Sequence, residues 1–258
     1  MTGAVDLGQW LRGRVLFVTG ASAGIGRTTA TVAARSGMKV VVAARRADEC
    51  QRLVKEIVST GGDAVHAVVD VTDEEQVAAA IRLAVSTYGR LDCAFNNAGV
   101  SGDGRIVDLD ASMFDRVMNV NARGLLLCMQ HELRQMRAQG TGTIVNNISV
   151  HGFRNAFPGV GAYAASKHAA VALTRAAAIE NAEIGLRVNA VAPGPIDTEM
   201  FRSSTATNPV AARWPRLIPA GRVGTPDEVT VTVMYLLSDL SSYVNGQIIG
   251  VDGGFLAL

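Results

Sequence analysis

The segment 15–26 reads V-L-F-V-T-G-A-S-A-G-I-G, an apolar run that leads directly into a glycine-rich turn. The run Val15–Thr19 predicts a buried strand. Gly20, Gly24 and Gly26 follow, and because glycine has no Cβ they allow a tight turn and the close approach of an anion. A helix starting here would point free N–H groups and its positive dipole end at that anion. The segment therefore predicts a strand, a pyrophosphate-binding turn and a helix; an ordinary turn between strand and helix is the alternative.

Further short apolar runs, most of them rich in valine, alternate with helix-like stretches along the chain. They predict six more strands, at residues 39–43, 64–69, 92–95, 143–147, 187–190 and 247–251. Most of these runs are apolar on both faces, as parallel strands covered by helices on both sides should be. Their alternation with helices such as 74–87 and 164–182 predicts a doubly wound, Rossmann-type α/β fold. We expect a single domain over residues 1–258, built on a mostly parallel seven-stranded sheet.

Two short motifs with acidic residues predict helix starts rather than chemistry. Thr72 would cap a helix that has Glu75 at its third position. Thr225 and Glu228 repeat this pattern, with Pro226 at the first helical position. We interpret these acids as structural.

The composition narrows the classes of partner. The 24 basic and 23 acidic residues give a net charge of +1, so a dedicated nucleic-acid binder is not expected. The three cysteines and four histidines have no disulfide or metal-ligand spacing, which predicts no metal and a cytoplasmic location. No apolar run approaches the roughly 20 residues of a membrane span. The first residues also lack the pattern of a secretion signal.

A tyrosine and a lysine one helical turn apart form the second chemical signal. Tyr163 and Lys167 share a face of a predicted helix. A phenol has an unperturbed pKa of about 10, and a nearby ammonium group lowers that pKa by favouring the phenolate. The two residues therefore predict an acid/base pair, although amphipathic helices also place such residues by chance. Ser149 follows the fifth predicted strand, at the edge of the sheet where α/β folds bind ligands.

Together these segments resemble the short-chain dehydrogenase/reductase family over most of the chain. Besides the glycine turn, the family pattern matches Asn-Asn-Ala-Gly at 96–99, Asn-Val-Asn-Ala-Arg-Gly at 119–124, the loop 193–198 and the segment 246–254. The resemblance implies an NAD(P)-dependent oxidoreductase that interconverts ketones and secondary alcohols. We divide the domain into a cofactor half, about 12–150, and a catalytic and substrate-lid half, about 150–258.

The resemblance also assigns residues to roles. Tyr163 would exchange a proton with the substrate oxygen, Ser149 would hold that oxygen, and Lys167 would bind ribose hydroxyls and lower the pKa of Tyr163. Asn121, the fourth catalytic residue, would position a proton-relaying water. The residues expected to bind the cofactor are Gly20, Ser22, Gly24, Ile25, Gly26, Arg45, Arg46, Asp70, Val71, Asn97, Ala98, Gly99, Tyr163, Lys167, Pro193, Gly194, Ile196 and Thr198.

Apolar residues after the catalytic motifs bear on the substrate. The stretch 195–219 is long enough to form a lid. The residues expected to contact the substrate are His151, Phe153, Phe157, Met200, Phe201 and Trp214. They favour a mainly apolar ketone or secondary alcohol. A non-catalytic NADP-binding regulator and a 3-oxoacyl-thioester reductase of the same family are the alternatives; enoyl reductases of this fold space Tyr and Lys further apart.

The end of the second predicted strand bears on which dinucleotide binds. An Asp or Glu there accepts hydrogen bonds from the ribose hydroxyls and repels a 2′-phosphate. Here the strand ends in Ala43 and Ala44, and Arg45 and Arg46 follow at once. A guanidinium can hold a phosphate through two charge-assisted hydrogen bonds. We therefore expect NADP(H) to be preferred over NAD(H), with two solvated arginines as the alternative.

The helix predicted through 163–182 also suggests self-association. It is rich in alanine and valine on more than one face, and a helix apolar on two faces must bury both. One face would cover the sheet and the other would meet a second copy across a twofold axis. We expect a homotetramer with three twofold axes, as the family commonly forms, with the apolar tail 248–258 as a second interface.

Overall fold

A parallel sheet of seven strands organises the chain in the computed structural model, which describes residues 8–155, 158–207 and 213–258. The strands are β1 (Val15–Thr19), β2 (Lys39–Ala44), β3 (Asp63–Val68), β4 (Cys93–Asn96), β5 (Thr143–Asn147), β6 (Arg187–Pro193) and β7 (Ile248–Val251). Their order in the sheet is β3-β2-β1-β4-β5-β6-β7, and every pairing is parallel. The predicted Rossmann-type fold is confirmed, with strand bounds that differ from expectation by three residues or fewer.

Helices cover both faces of this sheet. They are α1 (Gly8–Leu11), α2 (Gly24–Arg35), α3 (Ala47–Ser59), α4 (Glu74–Tyr88), α5 (Ala111–Met118), α6 (Leu125–Gln139), α7 (Gly161–Asn181), α8 (Glu199–Thr207), α9 (Trp214–Leu217) and α10 (Pro226–Leu237). A π-helical segment, Asn119–Gly124, joins α5 to α6. The predicted lid stretch 195–219 contains α8 and α9, and residues 208–212 within it lie outside the described part.

Two apolar layers, one on each face of the sheet, form the core. Along β1, Leu16 and Val18 pack in the layer with α2, α3 and α10, whereas Val15 and Phe17 pack in the layer with α4, α6 and α7. All four side chains are at most 1% exposed. This double burial explains why the strands are apolar at successive positions.

The strand order fixes where a ligand can bind. From β1 the chain moves outward to β2 and β3, and then returns to place β4 on the other side of β1. The connections that leave β1 and β4 therefore run in opposite directions. A crevice opens between them at the carboxyl ends of the strands, the usual ligand site of such sheets.

The two predicted helix caps have different outcomes. The capping box of Thr225 and Glu228 is confirmed, because each side chain bonds the backbone N–H of the other residue. The prediction that Thr72 caps α4 is wrong. Asp73 is the cap and accepts the N–H groups of residues 75 and 76, while Thr72 turns back to donate to Asp70.

Among the described residues, no helix has both the length and the apolar character needed to cross a bilayer. Cys50, Cys93 and Cys128 are buried and form no disulfide with one another.

A buried polar cluster lies between the sheet and the helices α6 and α7. Glu132 of α6 is fully buried, and its Oε2 accepts a hydrogen bond from Asn96 Nδ2 at 2.8 Å. Asn96 also donates to Asn146, which in turn donates to Thr174 of α7. Within the described residues, Glu132 Oε1 and Asn96 Oδ1 have no hydrogen-bond partner. Burial raises the pKa of Glu132 to about 8, so the carboxyl is protonated at neutral pH.

Replacing Glu132 with glutamine is expected to change how the free energy of unfolding depends on pH. The fold holds the proton more tightly than the unfolded chain, so wild-type stability is greatest below the ordinary pKa of 4.5 and falls as pH rises toward about 8. The amide cannot ionise, so Glu132→Gln should gain up to about 4 kcal/mol on the wild type between about pH 5 and pH 8. Urea unfolding of both proteins at these pH values measures the gain. Glu180→Gln, on the exposed side of α7, is the control, and a constant difference between wild type and Glu132→Gln would contradict the prediction.

Candidate active site and cofactor cleft

A cleft of about 480 Å³ lies at the carboxyl ends of the central strands. Its lining includes most of the residues expected to bind a cofactor: Gly20, Ser22, Gly24, Ile25, Arg45, Arg46, Asp70, Val71, Asn97, Ala98, Gly99, Tyr163, Lys167 and Thr198. Pro193, Gly194 and Ile196 line a neighbouring cavity instead. Gly26 lines neither of the two.

The glycines of the turn make room for the side chain of Asn97. Gly20 has a φ of +63°, and a Cβ on it would lie 2.8 Å from Asn97 Nδ2. A Cβ on Gly26 would overlap the same amide nitrogen and the carbonyl oxygen of Gly20. In the space left open, Asn97 Nδ2 donates to the carbonyl oxygens of Thr19 and Gly20, at 3.2 and 3.1 Å. The side chain of Asn97, the residue after β4, therefore helps to fix the turn.

The start of α2 fits an anionic group. Its N-cap is Ala23, and no described side chain caps the first turn, so the first N–H groups remain available beside the cleft. Gly24 lies at the same place, with a φ of +53°, and a Cβ on it would lie 3.1 Å from Thr198 Cγ2. Free amides, a positive dipole end and the absence of bulk are what a dinucleotide pyrophosphate requires.

Charged residues line the outer end of the cleft. The Asp70 carboxylate accepts the N–H and the hydroxyl of Thr72 and lies 3.9 Å from Arg45. Burial alone would raise the pKa of Asp70, but these contacts lower it overall, so the group stays ionised at neutral pH. Arg46 turns toward the glycine turn, where its Nε donates to Ser22 Oγ at 3.1 Å. This end of the cleft can accept from an adenine amino group and can hold a phosphate.

Three of the predicted catalytic side chains meet where β5 ends and α7 begins. Ser149 is buried and lies within hydrogen-bonding reach of the Tyr163 phenol. Lys167, one turn beyond Tyr163, places Nζ 5.5 Å from the centroid of the phenol ring. The ammonium donates at 2.9 Å to the carbonyl oxygen of Asn147, the last residue of β5. The phenol therefore lies between a hydroxyl and an ammonium group.

Burial dominates the proton equilibria of this pair. It raises the pKa of Tyr163 above the usual value, and the hydrogen bond with Ser149 opposes this rise in part. It also lowers the pKa of Lys167 to about 8. The expectation that Lys167 lowers the pKa of Tyr163 is therefore not met, because burial disfavours both the phenolate and the cation that would stabilise it. At neutral pH the phenol keeps its proton, as a proton donor must.

Asn121, the fourth predicted catalytic residue, acts in this structure as a clamp. It lies in the π-helical segment and is buried. Its amide exchanges two hydrogen bonds of 2.9 Å with the backbone of Val100 and donates to Ser166 Oγ at 3.0 Å. Ser166 donates in turn to the carbonyl oxygen of Tyr163. Asn121 thus ties the loop after β4 to the first turns of α7.

A second cavity, of about 180 Å³, opens beside Ser149 and Tyr163. Four of the residues expected to contact substrate line it: His151, Met200, Phe201 and Trp214. Phe153 is not in the lining and is 40% exposed, and Phe157 lies outside the described residues. Burial lowers the pKa of His151 to about 4, so its imidazole is neutral at pH 7. An apolar wall with a neutral imidazole suits an uncharged substrate.

Sequence reasoning did not identify Asn147 and Glu199. Asn147 accepts from Lys167 and donates from Nδ2 to Asn97 Oδ1 at 2.8 Å, so it links the catalytic pair to the glycine turn. The two asparagines that end this strand were the signal for it. Glu199 lines the cofactor cleft from α8, and nothing local in the sequence relates it to Arg46. No group of three or more metal-ligating side chains occurs among the residues that the structure describes.

Comparisons with known proteins agree with this geometry. A family model described as Enoyl-(Acyl carrier protein) reductase matches residues 20–256. The 3-oxoacyl-(acyl-carrier-protein) reductase of Thermotoga maritima is 40% identical over 248 residues, which cover 95% of this chain and 99% of that protein. The cyclohexanol dehydrogenase of an Acinetobacter strain is 38% identical over 243 residues, 94% of each chain. A crystal structure of a short-chain type dehydrogenase/reductase from Mycobacterium marinum matches with a TM-score of 0.93, at 37% identity over 98% of this chain and 99% of that one.

The chain belongs to the short-chain dehydrogenase/reductase family. It is an oxidoreductase that acts on CH–OH groups and interconverts secondary alcohols and ketones with a nicotinamide dinucleotide. The expectation of an enzyme is thereby confirmed over the alternative of a non-catalytic regulator.

Proposed function

We propose that the protein reduces a small, mainly apolar, cyclic ketone with NADPH, or oxidises the corresponding alcohol with NADP⁺, using Tyr163 as the general acid/base. One observation carries this proposal: Tyr163 lines both the cofactor cleft and the apolar cavity beside it. The proton on the phenol oxygen therefore lies next to both the cofactor cleft and the cavity proposed for the substrate. Orientation of this kind supplies much of the catalysis in such enzymes.

Each residue of the site has a separate role in the reaction. The bound nicotinamide supplies or accepts the hydride. In the reductive direction Ser149 Oγ holds the carbonyl oxygen, and the Tyr163 hydroxyl gives that oxygen its proton as negative charge develops there. Lys167 lines the cofactor cleft, where its Nζ binds the ribose hydroxyls. Asn121 holds the loop that follows β4 in place against α7 while the proton moves.

The walls of the second cavity support the substrate class. A volume of about 180 Å³ bordered by Met200, Phe201 and Trp214 suits a compact apolar ring. The neutral His151 gives a carboxylate no cationic partner, and Asp103 at the same cavity would repel one. The related cyclohexanol dehydrogenase acts, by its name, on a six-membered cyclic alcohol.

A second candidate is the reduction of a 3-oxoacyl thioester. The likeness to the Thermotoga maritima reductase favours it. The two candidates separate on kcat/KM for cyclohexanone and for an acetoacetyl thioester, measured by NADPH oxidation; a higher value for the thioester would overturn the cyclic-ketone proposal.

The same proposal includes three further points: a preference for NADP(H), a homotetramer and a cytoplasmic location. Arg45 and Arg46 beside the cleft, with no acid at the end of β2, support the cofactor preference. The outward face of α7 presents Ala165, Ala172 and Ala176, together with Ile179, which is 78% exposed. A second copy would bury this face, and the tail 248–258 would give a further interface. The buried, unbridged cysteines agree with a reducing compartment.

Tyr163→Phe is expected to abolish turnover while leaving fold and cofactor affinity intact. Phenylalanine keeps the ring in place but has no proton to give. We expect less than about a tenth of the wild-type kcat with cyclohexanone, a barrier increase of more than about 1.4 kcal/mol. The dissociation constant of NADPH, measured by its fluorescence, is the control. Retention of more than a tenth of kcat would refute the general-acid role.

Arg45→Ala is expected to weaken NADPH binding and to leave NADH binding nearly unchanged. A hydrogen bond from a cation to the 2′-phosphate would be lost, a change of about 1.5–3 kcal/mol or roughly ten- to hundredfold in affinity. Fluorescence titration of both cofactors measures this, with Arg82→Ala on the exposed surface of α4 as the matched control. A wild-type protein with the higher kcat/KM for NADH would show that the assumed preference is wrong.

Ile179→Glu is expected to break the homotetramer into smaller species. The substitution would put a charged group where the second copy buries an apolar side chain. Light scattering at micromolar concentration gives the mass of each species. Val58→Glu, at another exposed apolar position, on α3, is the control. A monomeric wild-type protein in this measurement would contradict the proposed homotetramer.

A further inference from the structure

The two arginines that follow β2 have different partners. Arg45 faces Asp70 at 3.9 Å and is 67% exposed. Arg46 is held at two points, since Nε donates to Ser22 in the glycine turn and Nη1 lies 3.2 Å from Glu199 Oε2. The guanidinium of Arg46 therefore joins the cofactor turn to the first residue of α8.

Helix α8 connects this contact to the substrate. Glu199 and Ser203 line the cofactor cleft, while Phe201, in the same turns, lines the second cavity, and Met200 lines both. The first turn of α8 is fixed by Thr198, whose Oγ1 accepts the N–H of Phe201 at 3.2 Å. The side chain of Glu199 thus reaches the cofactor cleft from the element that walls the substrate cavity.

We propose that Glu199 is a cofactor-selectivity residue, because its carboxylate occupies the Arg46 guanidinium that a ribose 2′-phosphate would use. This inference rests on the proposed function in that both assign the arginines to the phosphate end of the cleft. A second anion on the same guanidinium is repelled by the first, and part of the cation's charge is already neutralised. NAD(H) has a hydroxyl at this place and leaves the ion pair undisturbed.

The neighbouring ion pairs do not offer the same competition. Arg202 pairs with Asp197, at the start of the lid stretch, and both are well exposed. Arg45 pairs with Asp70, which hydrogen bonds from Thr72 already hold in place. Among the described ion pairs of the cleft, that of Arg46 and Glu199 is the one that ties a cation beside the glycine turn to α8.

The test measures dissociation constants of NADPH and NADH by cofactor fluorescence, without substrate, for the wild type and four variants. Glu199→Gln should tighten NADPH about three- to fivefold, the scale of one exposed charge interaction, and change NADH by less than about 1.5-fold. In an Arg46→Gln background, adding Glu199→Gln should leave both constants unchanged. Asp197→Asn, which removes a carboxylate paired with Arg202, should not alter the ratio of the two constants.

Three results would overturn the inference. They are an unchanged NADPH constant in Glu199→Gln, an equal change for both cofactors, and a gain that persists without Arg46. Thermal unfolding of each variant shows that the fold is retained. The outcome is separate from the proposed preference, because a wild type that favours NADH would refute that preference while the shift caused by Glu199→Gln would still decide the role of Glu199.

Discussion

The side chain of Asn97 holds the ends of three parallel strands together, and the site depends on it. Its amide nitrogen donates to Thr19 and Gly20 at the end of β1, and its oxygen accepts from Asn147 at the end of β5. Asn147 in turn offers its carbonyl oxygen to Lys167. One chain of hydrogen bonds therefore runs from the cofactor turn to the catalytic helix. Because the strands are rigid and buried, this chain positions groups that are far apart in sequence.

The architecture could be predicted from the sequence because it rests on local patterns. Seven apolar runs and the turn at 20–26 gave the strands, their parallel arrangement and the crevice. Local patterns predict less where two neighbouring polar residues could each take the same structural role. Thr72 and Asp73 both suit a helix cap, and the choice fell to Asp73 because Thr72 is engaged by Asp70. Likewise Glu132 resembles a surface acid in sequence, and only the packing of α6 on the sheet shows that it is buried.

The candidate site was predictable where a motif has its own chemistry and less so where tertiary contacts decide. Ser149, Tyr163 and Lys167 come together as the resemblance implied, but their pKa values depend on burial, which no spacing encodes. Arg45 and Arg46 are neighbours in sequence but differ in their contacts. Their different partners, Asp70 and Glu199, lie 25 and 153 residues further along the chain, beyond any local signal.

The π-helical segment makes the position of Asn121 depend on the exact number of residues between α5 and α6. Residues 111–139 wind almost continuously, and the segment Asn119–Gly124 accommodates its wider turn between two α-helices. A π turn holds one residue more than an α turn, so removing one residue there would return the winding to the α form and displace the residues of the segment itself. Asn121 would then leave Val100 and Ser166, while the apolar contacts of α6 with the sheet would hold that helix where it is. An insertion or deletion in this segment would therefore misalign Asn121 with its partners. An exposed loop can accommodate the same change by altering its own conformation.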